Sequence, residues 1–376
     1  MTSPLTGRRI GLLTASASRQ GGGVFEAVVA QAALIRSLGA EALIFALDDS
    51  DAGRDRARFD CSPVMLAKVR GPRQIGFAPQ LSQMLLDARL DCLHLHGIWM
   101  YPSRAGLLWA RESGRPYVIS PHGMLDPWIT AHGRWKKALA RAGYERASWA
   151  QASLLHALTG QEAADIARES GRGDSVVIPN ALPPGAIDPA PDVTARGPVV
   201  GYLGRIHAKK NLVALVRGWH LAARPAGARL VIAGWGDGAD VADLRTEIAA
   251  GDGSAEWLGP VFGDAKADLL RRARFMVLPS HSEGLPMAML EAWACATPTI
   301  MSPACHLDEG FAAGAAIRCG TSAPEIAAAL TQALALGERE WQGMAGNAHA
   351  LAQRRFAAHL VAGQWRSAYS RVIEGP

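Results

Sequence analysis

The sequence predicts an α/β protein made of two doubly wound domains, and three observations carry that expectation. Short apolar runs alternate with helix-forming stretches along the 376 residues, as in parallel strands joined by crossover helices. The alternation pauses in a proline-rich stretch, Leu182-Pro183-Pro184-Gly185 through Pro189, Pro191 and Pro198, and restarts at Val199. Such a stretch marks a domain boundary. Polar loops with glycine, histidine or charge follow the apolar runs directly, at the strand ends where open parallel sheets hold ligands. The expected layout is a first domain over 1–190, a second over 191–358 facing it across a cleft, and a helix within 359–376 returning to the first.

Composition bounds the function. With 49% hydrophobic residues the chain can bury two ordinary cores. No stretch approaches the roughly 18 consecutive apolar residues of a membrane span. The start, Met1 to Arg9, lacks the apolar core of a signal peptide, so a cytoplasmic protein is expected. Five cysteines without CxxC spacing point to reduced thiols rather than a disulfide framework or zinc site. A net charge of +5 permits an acidic ligand or an anionic membrane surface and demands neither.

In the first half, Ile10 to Thr14 reads as a strand, Val24 to Leu38 as a helix closed by Gly39, and Leu43 to Leu47 as a strand. Between the first two lies the flexible loop Ser18-Arg19-Gln20-Gly21-Gly22-Gly23, whose spacing is not the dinucleotide fingerprint GxGxxG. Asp48-Asp49-Ser50-Asp51 contains an acid-x-acid pattern able to hold a divalent metal, although acidic loops after strands are far commoner than metal sites. Leu90 to Leu95 is a further strand, ending in His94-Leu95-His96-Gly97. Alternation puts His94 and His96 on one face. Two histidines there can bind metal, but without a third ligand hydrogen-bonded histidines are the expectation. Tyr117 to Ser120 runs into Pro121-His122-Gly123, so His96 and His122 sit at the same sheet edge. Trp128 to Trp149 carries Arg134, Lys136, Lys137, Arg141 and Arg146 beside Trp135, Leu139 and Trp149. The expectation is a solvated basic face with its tryptophans in the core; an amphipathic helix lying on an anionic membrane is the alternative.

In the second half, Val199 to Leu203 and Arg229 to Ala233 read as strands, Leu212 to Ala223 as helix. Gly204-Arg205-Ile206-His207-Ala208-Lys209-Lys210-Asn211 puts a planar guanidinium and a mobile ammonium after the first of these strands. Further on, the apolar run Phe275 to Pro279 is followed by Ser280-His281-Ser282-Glu283-Gly284-Leu285-Pro286-Met287-Ala288-Met289-Leu290-Glu291. Pro286 suits a first helical position, so a polar loop should join a strand end to a helix amino terminus, a natural anion site. Glu283 lies in that loop. Glu291 lies about one turn inside the helix and leans back toward it. An anion-binding helix start with two nearby hydroxyl acceptors suits a phosphorylated sugar.

These residues resemble the retaining GT-B glycosyltransferases of family four, especially the bacterial ones that build surface polysaccharides (exopolysaccharide or lipopolysaccharide). The resemblance rests on Glu283-x7-Glu291 in EGLPMAMLEAWACATPTI and on GR-x4-K at Arg205 and Lys210. HLHGIW, SPHGMLDPW and VIPNAL extend it through the first half. The sequence departs from the family at Ala296 and Asn211, where glycine is usual. The resemblance implies a GT-B fold and transfer of a hexose from a UDP- or GDP-sugar to a lipid-linked or oligosaccharide acceptor, without cofactor or metal. By the same resemblance Arg205 and Lys210 neutralise the donor diphosphate, and amides around Gly284, Leu285 and Met287 bind it. Glu283 holds the donor sugar, Glu291 the ribose and the Val261 backbone the base. Gly22 and Gly23 lie near the phosphates, and His96 and His122 serve the acceptor, His122 also the chemistry. A same-fold nucleotide-sugar epimerase, a non-catalytic nucleotide-sugar-binding protein and a metal-dependent transferase using Asp49 and Asp51 are the alternatives.

Overall fold

The computed structural model describes residues 4–375 apart from His132, Ala190, Asp192, Ala195 and Asp237. The proposed boundary at 190/191 therefore falls partly outside the described residues. The chain divides into two compact units, 1–181 with 361–376, and 182–360. No helix among the described residues is long and apolar enough to cross a membrane.

The first unit holds seven parallel strands: β1 (Arg9–Thr14), β2 (Glu41–Leu47), β3 (Val64–Ala67), β4 (Cys92–His96), β5 (Tyr117–Ser120), β6 (Leu154–Ala157) and β7 (Val176–Val177). Their order is β3-β2-β1-β4-β5-β6-β7, so the winding reverses between β1 and β4. Thr14 pairs with His96 there. A doubly wound sheet opens a crevice at such a reversal, outside the strands' carboxyl ends. β2, β4 and β5 are buried almost throughout, as expected where helices cover both faces of a sheet. The last helix, Ala358–Glu374, supplies part of that cover: Val361, Trp365, Ala368 and Tyr369, on one helical face, are buried in the core beside β1 and β2.

The second unit holds β8 (Val199–Leu203), β9 (Arg229–Ala233), β10 (Ala255–Gly259), β11 (Phe275–Leu278), β12 (Thr299–Met301) and β13 (Ala316–Arg318), in the order β10-β9-β8-β11-β12-β13. All pairs are parallel, and the winding reverses between β8 and β11. The Arg205 loop follows β8 and the Glu283 loop follows β11, so both leave the sheet at the reversal.

Two local expectations change. Pro286, expected at the first helical position, instead caps the helix Met287–Ala294 with extended ψ, and Met287 opens it. The stretch from 128 to 149 is not one regular helix. It comprises Pro127–Ala131, Arg134–Ala140, a π-helical turn Arg141–Glu145 and Arg146–Gln151. Within it Trp149 is buried, as expected, whereas Trp135 is 66% exposed.

Candidate functional site

At the reversal of the second unit, the Arg205 loop is built by close backbone approach. Ile206 N donates to Trp235 O at 2.6 Å, and Tyr202 Oη donates to Arg205 O at 2.9 Å. A Cβ at Gly234 would lie 1.7 Å from Gly204 O, so only glycine fits there. Asn211, where glycine is usual in the resembled family, has φ 63° and donates from Nδ2 to Pro279 O and Thr321 O. Asparagine tolerates this left-handed conformation, and its amide ties the loop end to two neighbouring segments. Arg205 is exposed.

Lys210 reaches across the reversal. Its Nζ is 2.5 Å from Glu283 Oε1, which also accepts from Ser280 Oγ at 2.6 Å. The side chains are 15% and 6% exposed. A carboxylate so buried requires a partner, and here the partner is the lysine of the neighbouring loop. The backbone repeats the link: His281 N donates to Lys209 O, and Glu283 N to Ala304 O. Gly284, Leu285 and Met287 are half-buried and lead into the helix Met287–Ala294. Met289, Leu290 and Trp293 are fully buried on that helix and hold its amino terminus against the sheet.

Glu291 pairs with Lys266 at 2.7 Å, on the helix Gly263–Arg272 that starts two residues after Val261. Arg205, Lys210, Val261, Glu283, Gly284, Leu285, Met287 and Glu291 therefore all belong to this unit's binding-edge segments. Sequence reasoning missed Lys266. Its one signal is position in the first turn of a helix following a strand end, which also describes many solvated lysines.

At the reversal of the first unit, a cavity of about 290 Å³ opens between the loops after β1 and β4. Ser16, Gly21, Asp49, Arg73, His96 and Ser103 line it among others. Gly22 (φ 56°) and Gly23 begin the helix Gly23–Ser37 beside it. Asp49 accepts from Ser16 Oγ at 2.7 Å and Ser18 Oγ at 2.9 Å, and Asp51 accepts from Gln20 Nε2. These carboxylates thus organise the loop. Among the described residues no group of three His, Cys, Asp or Glu could hold a metal ion.

His96 Nδ1 lies 2.9 Å from His122 Nε2, and His96 Nε2 is buried without a partner. His122 has φ 56°, a strained conformation for a non-glycine residue. Gly123, after it, donates its N–H to Glu162. Behind this pair runs a buried chain of hydrogen bonds whose direction can be derived. His156 Nε2 faces the Ile178 carbonyl at 2.7 Å, so it carries the proton. Ser120 then donates to His156 Nδ1 and accepts from His94 Nε2 (both 2.6 Å), and Tyr369 Oη donates to His94 Nδ1 at 2.7 Å. Gln31 Nε2 completes it by donating to Tyr369 Oη. This orientation requires neutral rings. Burial, with repulsion between the rings, pushes His94 and His96 well below the usual histidine range, and burial pushes His156 down to about 4. His122, half-buried, is lowered by burial and by its proximity to His156. Sequence reasoning singled out His94, but not Ser120, His156 or Tyr369, whose link spans most of the chain.

Comparison with known proteins follows these two edges. Residues 22–181 match the family described as "Glycosyl transferase 4-like domain", and residues 197–335 match "Glycosyl transferases group 1". The chain belongs to the GT-B glycosyltransferases. It is 28% identical over 251 residues to an alpha-maltose-1-phosphate synthase of Mycolicibacterium smegmatis, covering 58% of this chain and 62% of that protein. It is 30% identical over 226 residues to a D-inositol 3-phosphate glycosyltransferase of Rhodococcus opacus, covering 55% and 51%. The match thus spans about half to three-fifths of the length of these curated relatives. Among solved structures, Anabaena HepE in complex with UDP and glucose has the same fold, with TM-score 0.80, 18% identity, and coverage of 96% of this chain and 99% of that one. This GT-B chain keeps its concentrated charge at the reversal of the second unit and its histidines at the reversal of the first.

Proposed function

We propose that the protein is a retaining hexosyltransferase. It moves a hexose from a UDP- or GDP-sugar to a lipid-linked or oligosaccharide acceptor in surface-polysaccharide synthesis, with no cofactor and no metal. The observation that carries this reading is the pairing of Lys210, in the loop that also carries Arg205, with Glu283, where two loops leave the second sheet at its reversal. Arg205 and Lys210 neutralise the donor diphosphate, and amides of Gly284, Leu285 and Met287 add hydrogen bonds. Glu283 holds Lys210 in place and receives hydroxyls of the donor sugar. Glu291 takes the ribose, and the Val261 backbone the base. In the first unit Gly22 and Gly23 serve the donor phosphates, and His96 and His122 serve the acceptor, His122 also the chemistry.

In the reaction an acceptor hydroxyl attacks the anomeric carbon on the face from which the diphosphate departs. The bond from that carbon to the phosphate oxygen breaks, the electron pair stays on oxygen, and the departing phosphate takes the hydroxyl proton. Negative charge grows on the diphosphate as the bond lengthens, so preorganised cations there stabilise the transition state more than the ground state.

The same reading places the protein in the cytoplasm, at the inner face of the membrane. Trp135 and Leu139, each 66% exposed and four residues apart on one helical face, stand among the exposed Arg134 and Lys136. That combination suits an anionic lipid surface. Unchanged co-sedimentation of a Trp135→Ser, Lys136→Glu variant with anionic vesicles would remove this part.

A panel of UDP-, GDP- and ADP-sugars, scored for protection against thermal unfolding, tests the main reading. A ligand bound by the native state alone raises the melting temperature, so one donor should stand out. Product analysis then separates the alternatives. An epimerase converts that donor with no acceptor present, and a binding protein neither transfers nor hydrolyses it.

A further inference from the structure

Two large aromatic side chains stand in solvent at the binding edge of the second unit, and none of the roles above uses them. Trp235, in the loop after β9, is 50% exposed, and Phe262, which caps the helix Gly263–Arg272, is 70% exposed. Single exposed apolar residues are ordinary on protein surfaces. These two form a pair: their ring centroids lie 6.4 Å apart with planes 29° from parallel. Aromatic carbons touch at about 3.5 Å, so a planar guest between two rings needs a separation of about 7 Å. The gap between the ring faces is at most the 6.4 Å centroid separation, so the rings must part to admit a guest, and both side chains are exposed.

The backbone ties each ring to a different part of the proposed donor site. Trp235 O accepts from Ile206 N at 2.6 Å, and Ile206 adjoins Arg205. Gly234 O, on Trp235's other side, accepts from Trp257 Nε1 at 3.0 Å, which fixes the start of the loop. Phe262 directly follows Val261, and its helix carries Lys266, 2.7 Å from Glu291. One ring is thus anchored to the loop assigned to the diphosphate, the other to the segment assigned to base and ribose.

We propose that Trp235 and Phe262 clamp the nucleobase of a nucleoside diphosphate between their rings. This inference rests on the donor reading of the second unit and adds to it the side chains that grip the base. A flat heteroaromatic ring fits near-parallel aromatic planes better than an aliphatic chain does, and the adjoining arginine loop favours a guest that carries an anionic group. Stacking acts on the face that every base presents. The clamp therefore raises affinity for UDP, GDP and ADP alike and leaves the choice among them to the backbone near Val261.

The test is calorimetric titration of UDP, GDP and inorganic pyrophosphate into the full chain and into Trp235→Ala, Phe262→Ala and Trp235→Phe. Removing either ring should weaken the nucleoside diphosphates about tenfold or more while pyrophosphate binds as to wild type. Trp235→Phe should keep most of the affinity and lose the tryptophan quenching expected of wild type with UDP or GDP. Nucleoside-diphosphate affinity unchanged in both alanine variants would overturn the clamp and leave the donor reading standing. An equal loss for pyrophosphate would also overturn it, because the rings would then be shaping the phosphate loop. If wild type bound neither UDP, GDP nor pyrophosphate, the donor reading would fall and the clamp with it.

Discussion

The two sheet reversals share one topology and carry opposite electrostatics. In the second unit the loops after β8 and β11 bring Lys210 and Glu283 together as a charged pair, and the exposed Arg205 lies in the same loop as Lys210. In the first unit the ends of β4, β5 and β6 carry His94, His96, Ser120 and His156, and burial keeps the imidazoles neutral. Topology supplies a crevice in both cases. Whether that crevice holds charge depends on pairing: a buried ammonium and carboxylate survive because they face each other, whereas buried imidazoles shed their protons and bond as neutral groups.

The largest expected effect comes from breaking the charged pair. Lys210→Ala should lower kcat/KM about a hundredfold or more, as loss of a transition-state cation does. By leaving Glu283 buried and unpaired it should also cost about 3 kcal/mol of stability. The double variant Lys210→Ala, Glu283→Ala should recover most of the stability in denaturant melts and none of the transfer. Recovery of both would make the pair purely structural.

Acid should distinguish the two edges. His156 carries a pKa of about 4 in the folded chain, below the usual histidine value near 6.5. The unfolded chain therefore binds more protons between those values, and stability present above pH 6.5 is lost as pH falls toward 4. At pH 5 the loss from this residue is about 2 kcal/mol. Glu145, raised to about 7 by burial, acts in the opposite direction. The informative quantity is accordingly the difference between wild type and His156→Gln: the variant's melting temperature should fall less between pH 7 and 5. Parallel curves would contradict a neutral His156.

Next is Asn211→Ala, which removes two hydrogen bonds to carbonyls and puts alanine at φ 63°. The expected cost is about 2 kcal/mol, read by denaturant titration, with Asn211→Gly losing less because glycine accepts the conformation. Equal losses would mean that the backbone geometry is unimportant there. Smallest is Tyr369→Phe, about 1 kcal/mol, because it leaves His94 Nδ1 without its donor. Nitrogen NMR of the imidazoles should show His94 protonated at Nε2 in wild type. A proton on Nδ1 would reverse the derived hydrogen-bond chain.

Much of the fold was legible because long strands and helices carry their period over many residues. β1, β2, β4 and β11 stand out as apolar runs, and Ala323–Ala335 forms a helix over the span expected from sequence. Val64–Ala67, Thr299–Met301 and Ala316–Arg318 were not anticipated: strands this short have no period to read, and these three lack the aromatic residue that marks the equally short β5 and β11. Trp135 was expected in the core. Hydrophobicity alone does not distinguish a tryptophan that packs inward, like Trp149, from one that faces out, because the two differ by their angle about a helix that a π-helical turn reorients. The site divides in the same way. Arg205, Lys210, Glu283 and Glu291 were visible as charges following strands. The Ser120–His156–His94–Tyr369 chain was not, because its partners lie 26 to 275 residues apart in sequence.

Departure of the nucleoside diphosphate is, on the proposed function, driven by the charged edge of the second unit. That role is tested most directly by the rate of nucleoside diphosphate release from the preferred nucleotide sugar, for wild type and Arg205→Ala, with melting temperatures recorded in parallel. Wild type should release the diphosphate measurably, and the variant, still folded, at a rate about a hundredfold lower. Equal release by the two folded proteins would contradict that role.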